Sequence, residues 1–285
     1  MGAAVRTEGF ALTHDGLALR TIHWQPTEPA WATLLLVHGL GEHVGRYDHV
    51  ARQMAAAGID VHGYDHRGFG ASSGPRAYVP RWSALHDDLE FRLGAARAAS
   101  PGIPIVLYGH SMGGLIALGY VLSENARPLP DLLVLTSPGL DSTIAGWKQA
   151  LAPILGRIAP RLRIRNGFRA GDLSRDPDVD ARVAADPLCL KSSTAALGAA
   201  GFAEQARVRG LLARGTPLPV PAYVIHGSED PIVPVGASEP LVEGRSNVTR
   251  RVYPGLRHET HNEPEGASVV DDTISWLRAA AVIRP

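Results

Sequence analysis

Residues 105–118 read Ile-Val-Leu-Tyr-Gly-His-Ser-Met-Gly-Gly-Leu-Ile-Ala-Leu. The apolar run Ile105–Tyr108 predicts a buried strand, and the Ala/Leu-rich run after Gly113 predicts a helix. Between them, Gly109-His110-Ser111-Met112-Gly113 has the Gly-x-Ser-x-Gly spacing of a strained turn that lifts a serine hydroxyl above a sheet edge. Glycines flanking such a turn let strand and helix close on each other without β-carbons between them. Taken alone, the five residues suit an ordinary strand–helix turn equally well. Their meaning depends on the rest of the chain.

Outward from this point strands and helices alternate. Thr33–Val37, Ile59–Tyr64, Leu132–Leu135, Ala222–His226 and Arg250–Tyr253 read as strands, whereas Tyr47–Ala57, Trp82–Ala99 and 266–281 read as helices. Phe10–His14 and Leu17–Trp24 alternate in strand fashion about Asp15-Gly16, a hairpin signal. This order predicts an α/β fold: a mostly parallel central sheet, helices on both faces, and reactive loops at the carboxyl ends of the strands. The rhythm breaks after Ser137-Pro138-Gly139. Trp147, Leu151, Ile154, Leu155 and Ile158 recur at helical spacing, Asp172–Asp186 reads as a charged loop, and Ala195–Ala213 is helical again. Residues 140–216 are therefore expected to form an inserted helical cap, dividing the core into 1–139 and 217–285.

Composition narrows the class. Of the 285 residues 45% are apolar and 20% charged, which suits a globular chain with a substantial core. A formal net charge of zero gives no overall attraction to nucleic acid or to an anionic surface. The single cysteine, Cys189, rules out an intrachain disulfide and a multi-cysteine metal site. No apolar run has the length of a membrane span, and the N-terminus lacks the charged-then-apolar pattern of a secretory signal. Gly2 is followed at position 6 by Arg, where an acylation signal needs Ser or Thr. The expected compartment is the cytoplasm.

A serine hydroxyl becomes a useful nucleophile when a base takes its proton and a third group orients that base. In the α/β-hydrolase order, nucleophile, acid and histidine follow one another along the chain. Ser111, Asp230 and His258 do so, the last two directly after expected strands. Asp141 and Glu229 are rival acids, and His261 is a rival base that spacing alone does not separate from His258. His258 and His261 lie three residues apart without a third suitably spaced ligand, so no metal site is expected. Backbone N–H groups of Met112, after the nucleophile, and Leu40, in His38-Gly39-Leu40-Gly41, are the candidate oxyanion donors.

His38-Gly39-Leu40-Gly41-Glu42-His43-Val44-Gly45-Arg46-Tyr47, Asp65-His66-Arg67-Gly68-Phe69-Gly70-Ala71-Ser72, the serine turn, Gly227-Ser228-Glu229-Asp230 and Tyr253-Pro254-Gly255-Leu256-Arg257-His258 resemble the signature blocks of monoacylglycerol lipases. The resemblance implies an α/β-hydrolase fold, a helical cap over the serine, and hydrolysis of monoacylglycerols to glycerol and fatty acid without a cofactor. It also implies that His258 is the base and that Glu42, Arg46 and His261 lie near the glycerol head group. The implied partner is a small lipid or ester substrate rather than nucleic acid, with the cap as the place of any transient membrane or micelle contact. Trp147, Leu151, Ile154, Leu155 and Ile158 are the expected apolar lining of the cap. Residues 141–170 match the family least, so the acyl chain preferred is the least determined property.

Overall fold

A computed structural model describes residues 4–282; Gly2, considered above for acylation, lies outside them. The hairpin strands β1 (Val5–Leu12) and β2 (Ala18–Gln25) pair antiparallel and close over the loop Thr13–Leu17, where Gly16 adopts φ +83°. Next come β3 (Ala32–Val37), α1 (Asp48–Ala56), β4 (Ile59–Tyr64), α2 (Ser83–Ala99), β5 (Ile105–His110), α3 (Met112–Val121) and β6 (Leu132–Thr136). After a long insertion the chain returns through β9 (Ala222–Gly227), β10 (Val248–Tyr253) and α7 (Gly266–Val282). The eight strands stand in the order β1-β2-β4-β3-β5-β6-β9-β10, parallel from β4 onward.

The unbroken apolar strands are explained by the two faces they serve. Leu35 and Val37 of β3 pack with α2 and α3 residues such as Leu89 and Leu115, whereas Leu34 and Leu36 pack with Met54 of α1 and Leu277 of α7. Successive side chains of a strand point to opposite faces, so a strand covered by helices on both sides has no polar face.

The insertion contains α4 (Gly146–Ile158), the short strands β7 (Arg163–Arg165) and β8 (Ser192–Thr194), α5 (Pro177–Ala185) and α6 (Ala195–Ala213). β7 and β8 pair antiparallel with each other. Two findings differ from the sequence expectation. Part of the supposed charged loop 172–186 is the helix α5, started by the Asp176 side chain accepting from Asp178 N–H at 2.9 Å, with Pro177 in its first turn. Of α6, Leu197, Val208 and Leu212 are buried in the main core. Arg207 on α6 donates to the carbonyls of Gly119 and Leu122 at the end of α3, and Glu204 pairs with Arg207.

Candidate active site

The serine turn is built by close approach. Ser111 lies between β5 and α3 at φ +52°, a left-handed conformation that is strained for a residue with a β-carbon. A β-carbon at Gly113 would collide with the carbonyl oxygen of Val37, so this glycine is what lets α3 press onto the end of β3. The hydroxyl is thereby presented at the carboxyl edge of the sheet, half-buried.

Two other strand ends supply its partners. Nε2 of His258, on the loop after β10, lies 2.9 Å from Ser111 Oγ, and its Nδ1 lies 2.8 Å from Asp230 Oδ2 on the loop after β9. With Nδ1–H directed to the carboxylate, Nε2 is left free to accept the serine proton. The other Asp230 oxygen, Oδ1, accepts from the N–H groups of Ile232 and Val233 at 2.8 and 2.9 Å. Burial opposes the charged form of Asp230, but His258, His226 and Val233 outweigh it and hold the carboxyl below its ordinary range. Burial likewise opposes a charged His258, yet the Asp230 carboxylate prevails and raises the imidazole above its ordinary value.

The rivals stand elsewhere. Asp141 accepts from Ser142 N–H and meets Arg209 at 3.5 Å, and Glu229 is exposed. His261 is buried and stacks on the Tyr47 ring with centroids 4.9 Å apart. Burial pushes its imidazole down to about 3, and its Nδ1 meets no partner among the described residues.

Of the expected head-group residues, Glu42 and Arg46 point into a buried ion network. Glu42 Oε2 meets Arg46 Nη1 at 2.5 Å, and Arg46 grips both oxygens of Glu259 at 2.7 Å each. Sequence reasoning missed Glu259, although it directly follows His258. The N–H groups of Leu40 and Met112 take no acceptor among the described residues.

The apolar surface beside this region also differs from expectation. Trp147, Leu151, Ile154 and Ile158 are exposed, and Leu155 is half-buried. Their helix turns a different side inward: Ala152 is buried, and Gly156 lies so close to Ala199 of α6 that a β-carbon there would meet it at 2.7 Å. A cavity of about 430 Å³ adjoining Leu40 has Phe168, Leu173, Val183 and Leu190 as its apolar lining, with Cys189 in its wall and Glu42, Arg46 and Glu259 at a charged side. Burial pushes the Cys189 thiol up to about 12, so it serves as an apolar wall group.

A parallel sheet that gathers serine, imidazole and carboxylate at its strand ends in that chain order defines an α/β-hydrolase. A family model described as serine aminopeptidase, S33, matches residues 28–265. A monoacylglycerol lipase of Mycolicibacterium smegmatis is 36% identical, with 97% of this chain and 99% of that protein covered. The human monoglyceride lipase is 30% identical over 92% of this chain and 88% of its own. The crystal structure of a Paleococcus ferrophilus monoacylglycerol lipase superposes with a TM-score of 0.78 at 27% identity, covering 98% of this chain and all of the other. The chain belongs to this hydrolase family, among its monoacylglycerol lipases.

Proposed function

We propose that the protein hydrolyses monoacylglycerols to glycerol and fatty acid through an acyl-enzyme on Ser111. The observation that carries this is the relay from Ser111 Oγ through His258 to Asp230, with contacts of 2.9 and 2.8 Å. His258 Nε2 takes the serine proton as Oγ attacks the ester carbonyl. The Leu40 and Met112 N–H groups receive the oxyanion, where preorganised donors act at a water-poor site. His258 then gives the proton to the departing glycerol oxygen, and water repeats the sequence on the acyl-enzyme to release the fatty acid. Relatives named as lipases support an ester rather than a peptide bond as the target. Among Glu42, Arg46 and His261, the last is the one whose Nδ1 has no partner among the described residues, and it is assigned a glycerol hydroxyl.

The same reading gives the insertion a second task. Trp147, Ile154 and Ile158 on α4 are 65%, 55% and 72% exposed. Residues 142–171 carry Lys148, Arg157, Arg161, Arg163, Arg165 and Arg169 and no acidic residue, a local charge that the net value of zero hides. An apolar helix face among cations suits the surface of an anionic lipid bilayer. No helix among the described residues is long and apolar enough to cross one.

Fluorophosphonate labelling tests the central claim. The wild type takes one label and hydrolyses monoacylglycerol, and Ser111→Ala does neither. A folded wild type that resists the label would overturn the proposal.

A further inference from the structure

The candidate oxyanion donor Leu40 N–H belongs to the peptide plane that also contains the carbonyl of Gly39, and the two groups point in opposite directions. Whatever fixes the Gly39 carbonyl therefore aims the Leu40 N–H. His38 does so: its Nδ1 lies 2.8 Å from Gly39 O, while its Nε2 accepts from His66 N–H at 3.0 Å. Acceptance at Nε2 leaves the proton on Nδ1, so the contact to Gly39 is a donated hydrogen bond. Burial pushes this imidazole down to about 3, which keeps it neutral.

The preceding peptide is held from its other side. Glu42 Oε1 accepts from Gly39 N–H at 2.5 Å and from the Tyr47 hydroxyl at 2.6 Å. With two donors this oxygen has no in-plane lone pair left, and Oε2 is engaged by Arg46. Arg46 is anchored in turn by both oxygens of Glu259, and Asn262 Nδ2 donates to Glu259 Oε2 at 2.7 Å. Gly39 leaves no room for drift, because a β-carbon there would approach Glu42 Oε1 at 2.7 Å and Ser111 Cβ at 3.3 Å. The network thus joins the loop bearing one oxyanion donor to the loop bearing the base.

We propose that Glu42, braced by Arg46 and Glu259, is a positioning residue for the Leu40 oxyanion donor, with His38 completing the clamp. The inference rests on the Ser111 esterase reading and goes beyond the head-group role that the family resemblance gives Glu42.

Two substrates separate the roles. A monoacylglycerol has a glycerol head group, whereas nitrophenyl butyrate has none, but both pass through the same oxyanion. In Glu42→Ala, kcat falls by roughly 10- to 100-fold on both esters while KM changes less than about threefold. Affinity for a trifluoromethyl ketone, whose adduct oxygen occupies the same hole, falls in parallel. Glu42→Gln keeps an acceptor for Gly39 N–H and recovers part of the rate on both esters. A loss confined to the monoacylglycerol, or no loss on either ester, overturns the proposal. If Glu42→Ala does not fold, Glu42→Gln is judged by the same comparison. A wild type inactive on both esters would instead remove the Ser111 reading on which the inference rests.

Discussion

The hydroxyl of Ser137 donates to the backbone carbonyl of His258 across 2.8 Å. Ser137 follows β6 with φ +41°, and its own N–H bonds to Ile225 O on β9. The strained residue therefore fastens the loop that carries His258 to two central strands. Ser137→Ala leaves a buried carbonyl without its donor and keeps the strain, at a cost of about 1–3 kcal/mol. Ser137→Gly loses the same bond but relieves the left-handed backbone, and should be less destabilised than Ala by about 1 kcal/mol. Denaturant unfolding of the two variants checks the order.

The raised His258 fixes the sign of the pH profile. The proposed mechanism needs the neutral imidazole, whose partners and neighbours are Asp230, Ser111, His110, His261, Glu259 and Glu42. The acid limb of kcat/KM should thus have its midpoint above the ordinary histidine value of about 6.5. Asp230→Asn removes the anion that holds it there. Its kcat should fall on the order of 10⁴-fold, and the limb of the residual activity should move to lower pH. A wild-type limb well below the ordinary value would contradict the assignment.

Two glycine substitutions should have opposite signs. Gly113→Ala drives a methyl into the Val37 carbonyl and must part α3 from β3, so folding yield and fluorophosphonate labelling should both collapse. Gly94 lies in α2 with open space around it. Gly94→Ala should raise stability by about 0.5–1 kcal/mol with unchanged turnover.

The exposed face of α4 makes a separable prediction. Trp147→Ser combined with Ile158→Ser should weaken binding to anionic vesicles by roughly a hundredfold or more, read by cosedimentation, since each side chain contributes about 1.5–3 kcal/mol when buried in lipid. Turnover of a short soluble ester should stay at the wild-type level. Equal vesicle binding by the double variant would exclude this face.

The parallel strands and the meeting of Ser111, His258 and Asp230 were legible because both are written locally: unbroken apolar runs for strands buried on two faces, and polar residues directly after them. The lining of the insertion was less so. Helical spacing at Trp147, Leu151, Ile154 and Ile158 reveals an apolar stripe but not which side it covers, and here the stripe faces outward. Helix α5 hid behind its charges, although Asp176-Pro177 carried both a cap and a first-turn signal. Glu259 and Ser137 left no trace of their own, because each matters through a contact to a loop remote in sequence. Glu42 and Arg46 stand in one short block, whereas Glu259, the third member of their network, lies 213 residues from Arg46.

The anchoring of α6 sets where the molecule can be recut. Its apolar side completes the core beside α3, and Arg207 caps the carbonyl end of that helix. Exchanging the whole of 140–216 with a relative would remove a wall of the foundation along with the roof. A graft that begins at Asp141 and ends at Ser193, so that the recipient keeps Thr194 as the residue that starts α6, transfers α4, most of the β7–β8 ribbon and α5 as one module. Chimaeras joined at those two points should inherit the donor's acyl preference while retaining the recipient's fold.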